Sequence, residues 1–216
     1  RKNGERFWEQ LIVTPIKDSK GEATGYLILG EDISIRKRYE QQLLRQANYD
    51  ILTGLPNRML ALDRLKLALA QARRESSLVG VMFLDLDNFK HINDTLGHDA
   101  GDNLLIEAAR RISSCLRGTS TVARLGGDEF VMLIESLSTD IDTATEEVEQ
   151  VVAVICGMFV HPFYCRENEI YSKASIGITL FTDAAENKFD LLKQADLALY
   201  DAKAHGKNTH RFFNLQ

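Results

Sequence analysis

Residues 79–84, Val-Gly-Val-Met-Phe-Leu, form an uninterrupted apolar run of strand length that stops abruptly at Asp85-Leu-Asp87. A strand that does not alternate apolar with polar must be covered on both faces, so the chain has to supply a layer on each side of it. The covering helices can be read from their spacing. Asn57 can cap a helix whose Leu62, Leu65, Leu69 and Ala72 share a face, and Arg73 and Arg74 suit its C-terminal dipole. Residues 99–117 repeat the pattern, with Leu105, Ala108, Ile112 and Cys115 inward and Gly118 as the stop. Residues 121–125 and 129–135 read as strands on either side of Gly126-Gly127-Asp128, a hairpin signature. Residues 142–159 predict another amphipathic helix, 161–166 and 169–181 a strand pair around a Glu-Asn turn, and 189–205 a last helix. The order after residue 57 is α-β-α-β-β-α-β-β-α. It predicts an α/β (α+β) fold, a mainly antiparallel sheet flanked by helices.

The N-terminal part has a different texture. Residues 6–15 and 23–32 predict two strands around the polar turn 17–22, and a hairpin alone cannot bury a core, so it must dock on something larger. Residues 34–48 carry Ile35, Tyr39, Leu43, Leu44 and Ala47 at helical spacing on a charged rod. This is either a solvated linker helix or a short parallel coiled coil between two protomers. A length of 216 residues, at roughly 150 per domain, suggests one complete domain plus a piece of another. Because the first residue is Arg1, the incomplete piece is expected at the N-terminus.

Composition narrows the partners. With 44% apolar and 26% charged residues and a net charge of -5, the chain reads as a soluble globular protein. The acidic balance excludes a nucleic-acid groove or an anionic membrane surface as main partner, since both call for a dense basic face. The longest apolar run, residues 151–160, is too short to cross a bilayer, which takes about 20 residues. Cys115, Cys156 and Cys165 are odd in number and lack metal-ligand spacing, which suggests reduced thiols in a cytoplasmic protein without direct membrane contact.

The chemistry is signalled by carboxylates. Asp85 and Asp87 are two apart on a strand and so point to the same side, while Asp128 and Glu129 sit at a glycine hairpin that could lie beside them. Taken singly, such residues are usually solvated turn formers. Converging, they would repel unless a cation sat among them, and hard oxygen ligands select Mg²⁺ or Mn²⁺. Gly126 and Gly127 permit positive φ and leave room for a phosphate or ribose against the backbone, or else they simply form a tight turn. Lys90 and Lys203 offer counter-charge to a phosphate near a metal.

Six motifs, in order, now carry a resemblance. Residues 50–58 (Asp-Ile-Leu-Thr-Gly-Leu-Pro-Asn-Arg), 85–94 (Asp-Leu-Asp-Asn-Phe-Lys-His-Ile-Asn-Asp), 97–102 (Gly-His-Asp-Ala-Gly-Asp), 124–130 (Arg-Leu-Gly-Gly-Asp-Glu-Phe), 174–177 (Ala-Ser-Ile-Gly) and 195–203 (Ala-Asp-Leu-Ala-Leu-Tyr-Asp-Ala-Lys) resemble the GGDEF family of diguanylate cyclases. The resemblance implies a fold related to the polymerase palm and the nucleotidyl cyclases, and condensation of two GTP molecules into cyclic di-GMP with release of pyrophosphate. It implies that Asp85, Asp128 and the Leu86 carbonyl bind Mg²⁺ or Mn²⁺. Asp128 would also accept the hydroxyl proton, Glu129 would support it, and Lys90 would stabilise the transferring phosphate. Asn93 and Asp102 correspond to the guanine-reading pair, whose carboxylate can accept from N1–H and N2–H₂ together. Phe89, His98, Gly126 and Gly127 would be further substrate contacts. Lys203 and Lys207 would hold the terminal phosphates, Lys207 in place of a frequent arginine. Each protomer would hold one GTP, so a working site would need an antiparallel homodimer.

One departure stands out. The Arg-x-x-Asp product-inhibition site of many cyclases aligns with Arg117-Gly-Thr-Ser120, so the carboxylate partner is lost and feedback inhibition is expected to be weak. Residues 1–36, ending in Asp32-Ile-Ser-Ile-Arg36, resemble the closing strands of a PAS sensor. Residues 37–49 would then be its signalling helix and 50–216 the cyclase domain. Two alternatives remain. The ending Arg211-Phe-Phe-Asn214 resembles the junction of tandem cyclase–phosphodiesterase proteins, so the domain could be a catalytically silent GTP-binding module that regulates an attached phosphodiesterase. A metal-dependent phosphohydrolase would also account for the carboxylates and lysines, but would leave the guanine pair and the double glycine unused.

Overall fold

The structure, a computed structural model, describes residues 6–116, 120–165, 168–181 and 188–213. It divides into two compact units, one ending at Ala47 and the other starting at Asn48. In the first, strands β1 (Glu9–Lys17) and β2 (Ala23–Asp32) pair antiparallel from Glu9 opposite Asp32 to Lys17 opposite Ala23. Asp18 closes the turn by accepting from the Lys20 and Glu22 N–H groups at 2.8 and 3.0 Å. Helix α1 (Ser34–Asn48) starts at a buried Ser34, whose hydroxyl accepts the Trp8 N–H at 2.9 Å. Both faces of the hairpin remain exposed, including Leu11, Val13 and Ile28 on one and Ile12, Leu27 and Leu29 on the other. Ile35, Tyr39 and Leu43 lie exposed along α1.

The second unit is built around the predicted apolar strand. Its elements are α2 (Arg58–Glu75), β3 (Leu78–Leu86), α3 (Phe89–Leu96), α4 (His98–Cys115), β4 (Thr121–Gly126), β5 (Glu129–Leu137), α5 (Ile141–Phe159), β6 (Phe163–Cys165), β7 (Asn168–Ile170), β8 (Ala174–Phe181), α6 (Lys188–Ala204) and β9 (His210–Phe212). The main sheet runs β4-β5-β3-β8-β9, and every residue of β3 is buried at its centre. Alternate side chains of β3 go to different cores. Met82, Leu84 and Leu86 pack with Leu104, Leu105 and Ile112 of α4 and Val148, Val152 and Ile155 of α5. Val79, Val81 and Phe83 pack instead with Leu65 and Leu69 of α2 and Leu191, Ala195 and Leu199 of α6. The run lacks alternation because both faces are covered.

Asn57 caps α2 as expected, accepting the Leu60 N–H at 3.1 Å. One expectation needs correcting. Residues 169–181 are not one strand: β7 pairs with β6 in a small separate hairpin, while β8 crosses into the main sheet beside β3. The main sheet is mainly antiparallel as expected, and only the β8–β9 pair is parallel, from His210 opposite Ile176. The helix expected over residues 99–117 is α4, and a further helix, α3, precedes it, the two separated at Gly97 with φ 86°. Gly118 lies outside the described residues. On β8, a Cβ at Gly177 would meet the α6 backbone, including Leu199 Cα at 2.7 Å, so this glycine lets α6 settle directly on the strand.

The cysteines form no disulfide. Burial pushes the Cys115 and Cys156 thiols above their usual range. Among the described residues no helix is long and apolar enough to cross a membrane.

Candidate functional site

Asp85 lies near the C-terminal end of the buried strand β3, directly opposite Glu129 on β5 and Ser175 on β8. Opposite residues of an antiparallel pair project to one face, so two carboxylates meet there at a cost. The structure answers with Lys203 from the last turn of α6, whose Nζ lies 2.7 Å from Asp85 Oδ2. Asp85 is only 7% exposed. Burial raises its pKa above the usual carboxylate range, the neighbouring Asp128 and Glu129 charges push the same way, and Lys203 only partly opposes them. Asp128 is half-buried at the hairpin and Glu129 exposed.

Asp87, expected to join this acidic group, is otherwise engaged. Its Oδ1 accepts the Ser175 hydroxyl at 2.8 Å and its Oδ2 the Asn208 N–H at 2.8 Å, while its own N–H donates to the Lys173 carbonyl. It fastens the end of β3 to β8 and to the turn after α6. Next to it Lys207 Nζ donates to Asn88 Oδ1 at 2.9 Å. Lys207, Asn208 and Asn88 all adopt positive φ, at 62°, 48° and 62°.

The β4–β5 turn uses its glycines as expected, with φ 150° at Gly126 and 52° at Gly127, and open space where their Cβ atoms would be. Arg124 holds this turn, its guanidinium donating to the Gly127 carbonyl from Nε at 3.0 Å and from Nη2 at 2.7 Å. The same guanidinium grips Asp50 in a bidentate pair at 2.9 and 3.1 Å. Asp50 Oδ1 also accepts the Thr53 hydroxyl and N–H at 2.6 and 2.8 Å. Burial alone would raise the Asp50 pKa, but the Thr53 hydrogen bonds and the Arg124 charge outweigh it and hold the carboxyl below its usual range. The Asp50–Arg124–Gly127 brace was not anticipated from the sequence, where Asp50 and Arg124 served only as motif letters.

The remaining expected residues lie on α3 and α4, which pack on one another. Lys90 is exposed in the first turn of α3, and His98 is the exposed first residue of α4. Phe89 is half-buried and packs against the core. Asp102 is exposed on α4. Asn93 Oδ1 is buried with no hydrogen-bond partner, a costly state for an amide oxygen and one that suits a site awaiting a donor. Arg117, expected from the resemblance to belong to a degenerate inhibition motif, lies outside the described residues, and Ser120 is half-buried just before β4.

The family profile described as diguanylate cyclase, GGDEF domain, matches residues 47–209. The chain belongs to the GGDEF family. It is 42% identical over 203 residues to the bifunctional diguanylate cyclase/cyclic di-GMP phosphodiesterase MucR of Pseudomonas aeruginosa, covering 94% of this chain and 28% of that protein. It is 38% identical over 174 residues to the diguanylate cyclase TpbB of the same species, covering 80% of this chain and 39% of TpbB. The chain thus spans well under half the length of these relatives. The solved GGDEF domain of TpbB matches with a TM-score of 0.73 at 36% identity, covering 77% of this chain and 95% of that one. This GGDEF domain therefore has the α/β fold of its family, with a mixed central sheet between helices.

Among the described residues of this GGDEF domain, no three His, Cys, Asp or Glu side chains come together as a ready-made metal cage. That still fits Mg²⁺, which is commonly held by one or two carboxylates with substrate phosphates completing its shell. The buried Asp85 carboxylate, opposite Glu129 on the neighbouring strand, offers such an ion hard oxygen donors.

Proposed function

We propose that this domain is a diguanylate cyclase that joins two GTP molecules into cyclic di-GMP and releases pyrophosphate. The observation that carries this reading is the buried Asp85 carboxylate, facing Glu129 of the glycine hairpin and countered by Lys203. In each half-reaction a ribose 3′-hydroxyl attacks the α-phosphate of the other GTP, the new P–O bond replaces the one to pyrophosphate, and the hydroxyl proton passes to Asp128. Lys90, exposed on the first turn of α3, stabilises charge on the transferring phosphate, and Lys203 and Lys207 hold the terminal phosphates. A divalent ion, Mg²⁺ or Mn²⁺, held by Asp85, Asp128 and the Leu86 carbonyl would lower the hydroxyl pKa and neutralise phosphate charge.

Asn93 and Asp102 read the guanine edge, with Phe89, His98, Gly126 and Gly127 lining the substrate. Adenine lacks the donors that this pair accepts, and a site built for hydrogen bonds can reject such an analogue by roughly 10⁴-fold. Since each domain holds one GTP, turnover takes an antiparallel homodimer. Residues 1–36 serve as the closing part of a PAS sensor and residues 37–49 as the helix that transmits its state, a reading supported by a hairpin left exposed on both faces.

A second reading is favoured by the similarity to a bifunctional relative in which the matched part is 28% of the whole. In this second reading the present domain binds GTP and regulates an attached phosphodiesterase without turnover. The Asp128→Ala variant separates the two readings. Loss of product with GTP binding retained supports catalysis, whereas a native protein that binds GTP and makes no product supports regulation.

A further inference from the structure

Gly101 is a helix-interior glycine in α4 with no conformational reason to be one. Its φ is not in the left-handed region, its N–H bonds back to the Gly97 carbonyl at 3.4 Å, and it is buried. Alanine would be favoured there by intrinsic helix propensity. What excludes a side chain is Asn93. A Cβ at Gly101 would overlap Asn93 Oδ1, lie 2.9 Å from Asn93 Cγ and come within 3.2 Å of Phe89 Cζ. The volume that any other residue would fill is occupied by the carboxamide whose oxygen is buried without a partner.

We propose that Gly101 is a positioning residue for guanine recognition: its missing side chain lets the Asn93 carboxamide lie against α4, and that placement sets where the amide meets the base. This inference rests on the reading of Asn93 as a guanine contact. The neighbouring features agree with it. Gly97 breaks α3 from α4 with φ 86°, which folds α3 back so that Asn93 reaches across to the first turns of α4, next to Asp102. The glycine thus sets how closely the Asn93 amide can approach α4. An alanine at this place would move the amide by the width of a methyl group, more than hydrogen-bond geometry tolerates.

The test uses the full chain and 3′-deoxy-GTP, which has no hydroxyl to attack with and so reports binding alone. Titration calorimetry is run on the wild type, Asn93→Ala, Gly101→Ala and the double variant, with thermal melting of each. Asn93→Ala is expected to weaken binding roughly tenfold and Gly101→Ala by a similar factor, seen in turnover as a raised KM with little change in kcat. In the Asn93→Ala background Gly101→Ala should weaken binding no further and should not lower the melting temperature, because the obstructed group is gone. Native affinity in Gly101→Ala, or an undiminished loss in the Asn93→Ala background, would overturn the proposal while leaving the guanine reading intact. Native affinity in Asn93→Ala would instead overturn the guanine reading, and this inference with it.

Discussion

Lys203 Nζ and Asp85 Oδ2 stand 2.7 Å apart, so the carboxylate buried at the end of the central strand is answered by the last turn of the final helix. The pairing joins two distant parts of the chain through one contact, and Gly177 makes it possible by letting α6 lie on β8. In the metal-free protein the ammonium is the counter-charge for Asp85, which also faces Glu129 across the strand pair. Asp85→Asn removes a crowded buried charge and is expected to raise the metal-free melting temperature by a few degrees, about 1 kcal/mol for a domain of this size. The same change is expected to abolish both product formation and the stabilisation that Mg²⁺ gives the wild type. A variant still stabilised by Mg²⁺ would place the ion elsewhere.

Arg124 serves the hairpin from beneath, tying the Gly127 carbonyl to Asp50. Arg124→Ala leaves a mostly buried carboxylate and a turn carbonyl without their donor. A loss of roughly 1–3 kcal/mol in urea unfolding is expected. Product formation should fall more than the folded fraction does, because the turn carries Asp128 and Glu129. Arg124→Lys should rescue little, since an ammonium cannot serve two acceptors in fork geometry. Full activity in Arg124→Ala would mean that the brace is not needed to hold the hairpin.

Asp50 gives the fold a defined response to acid. Its carboxyl is held below the usual range in the folded state, so the stability it contributes is fully present above the ordinary carboxylate pKa of about 4 and is lost as pH falls through the depressed folded value. Asp50→Asn should therefore melt below the wild type at neutral pH, with the gap constant above the ordinary carboxylate pKa of about 4 and closing as pH falls below it. Melting curves of both proteins across that range check this. A gap that widens in acid would contradict the assignment.

Feedback by product is expected to be weak, because Ser120 stands where an inhibition site of the Arg-x-x-Asp type has its carboxylate. A hydroxyl cannot make the paired charge-assisted contacts that a carboxylate makes to a guanine edge. Initial rates with and without micromolar cyclic di-GMP should agree, and Ser120→Asp should introduce inhibition. Strong inhibition of the wild type would show that another surface binds the product.

Much of this was legible because the informative features are local. The apolar run ending in Asp85, the glycine pair at 126–127 and the Asn57 cap each declare their role within a few residues. The features that were missed depend on partners far along the chain. Asp87 has the same spacing and chemistry as Asp85 up to the point where Ser175 and Asn208, from the other end of the chain, take up its oxygens. The pairing of Arg124 with Asp50 spans 74 positions and has no periodic signal. The α3–α4 break depends on the backbone angle of one glycine, and β9 is three residues long, too short for a strand pattern to register.

The central claim is most directly tested by incubating the full chain with GTP and Mg²⁺ and measuring cyclic di-GMP by mass spectrometry, alongside Asp128→Ala. Product should form with pyrophosphate, fall in specific activity as the protein is diluted below its dimerisation range, and vanish in the variant. A folded, GTP-binding wild type that makes no cyclic di-GMP at any concentration would contradict it.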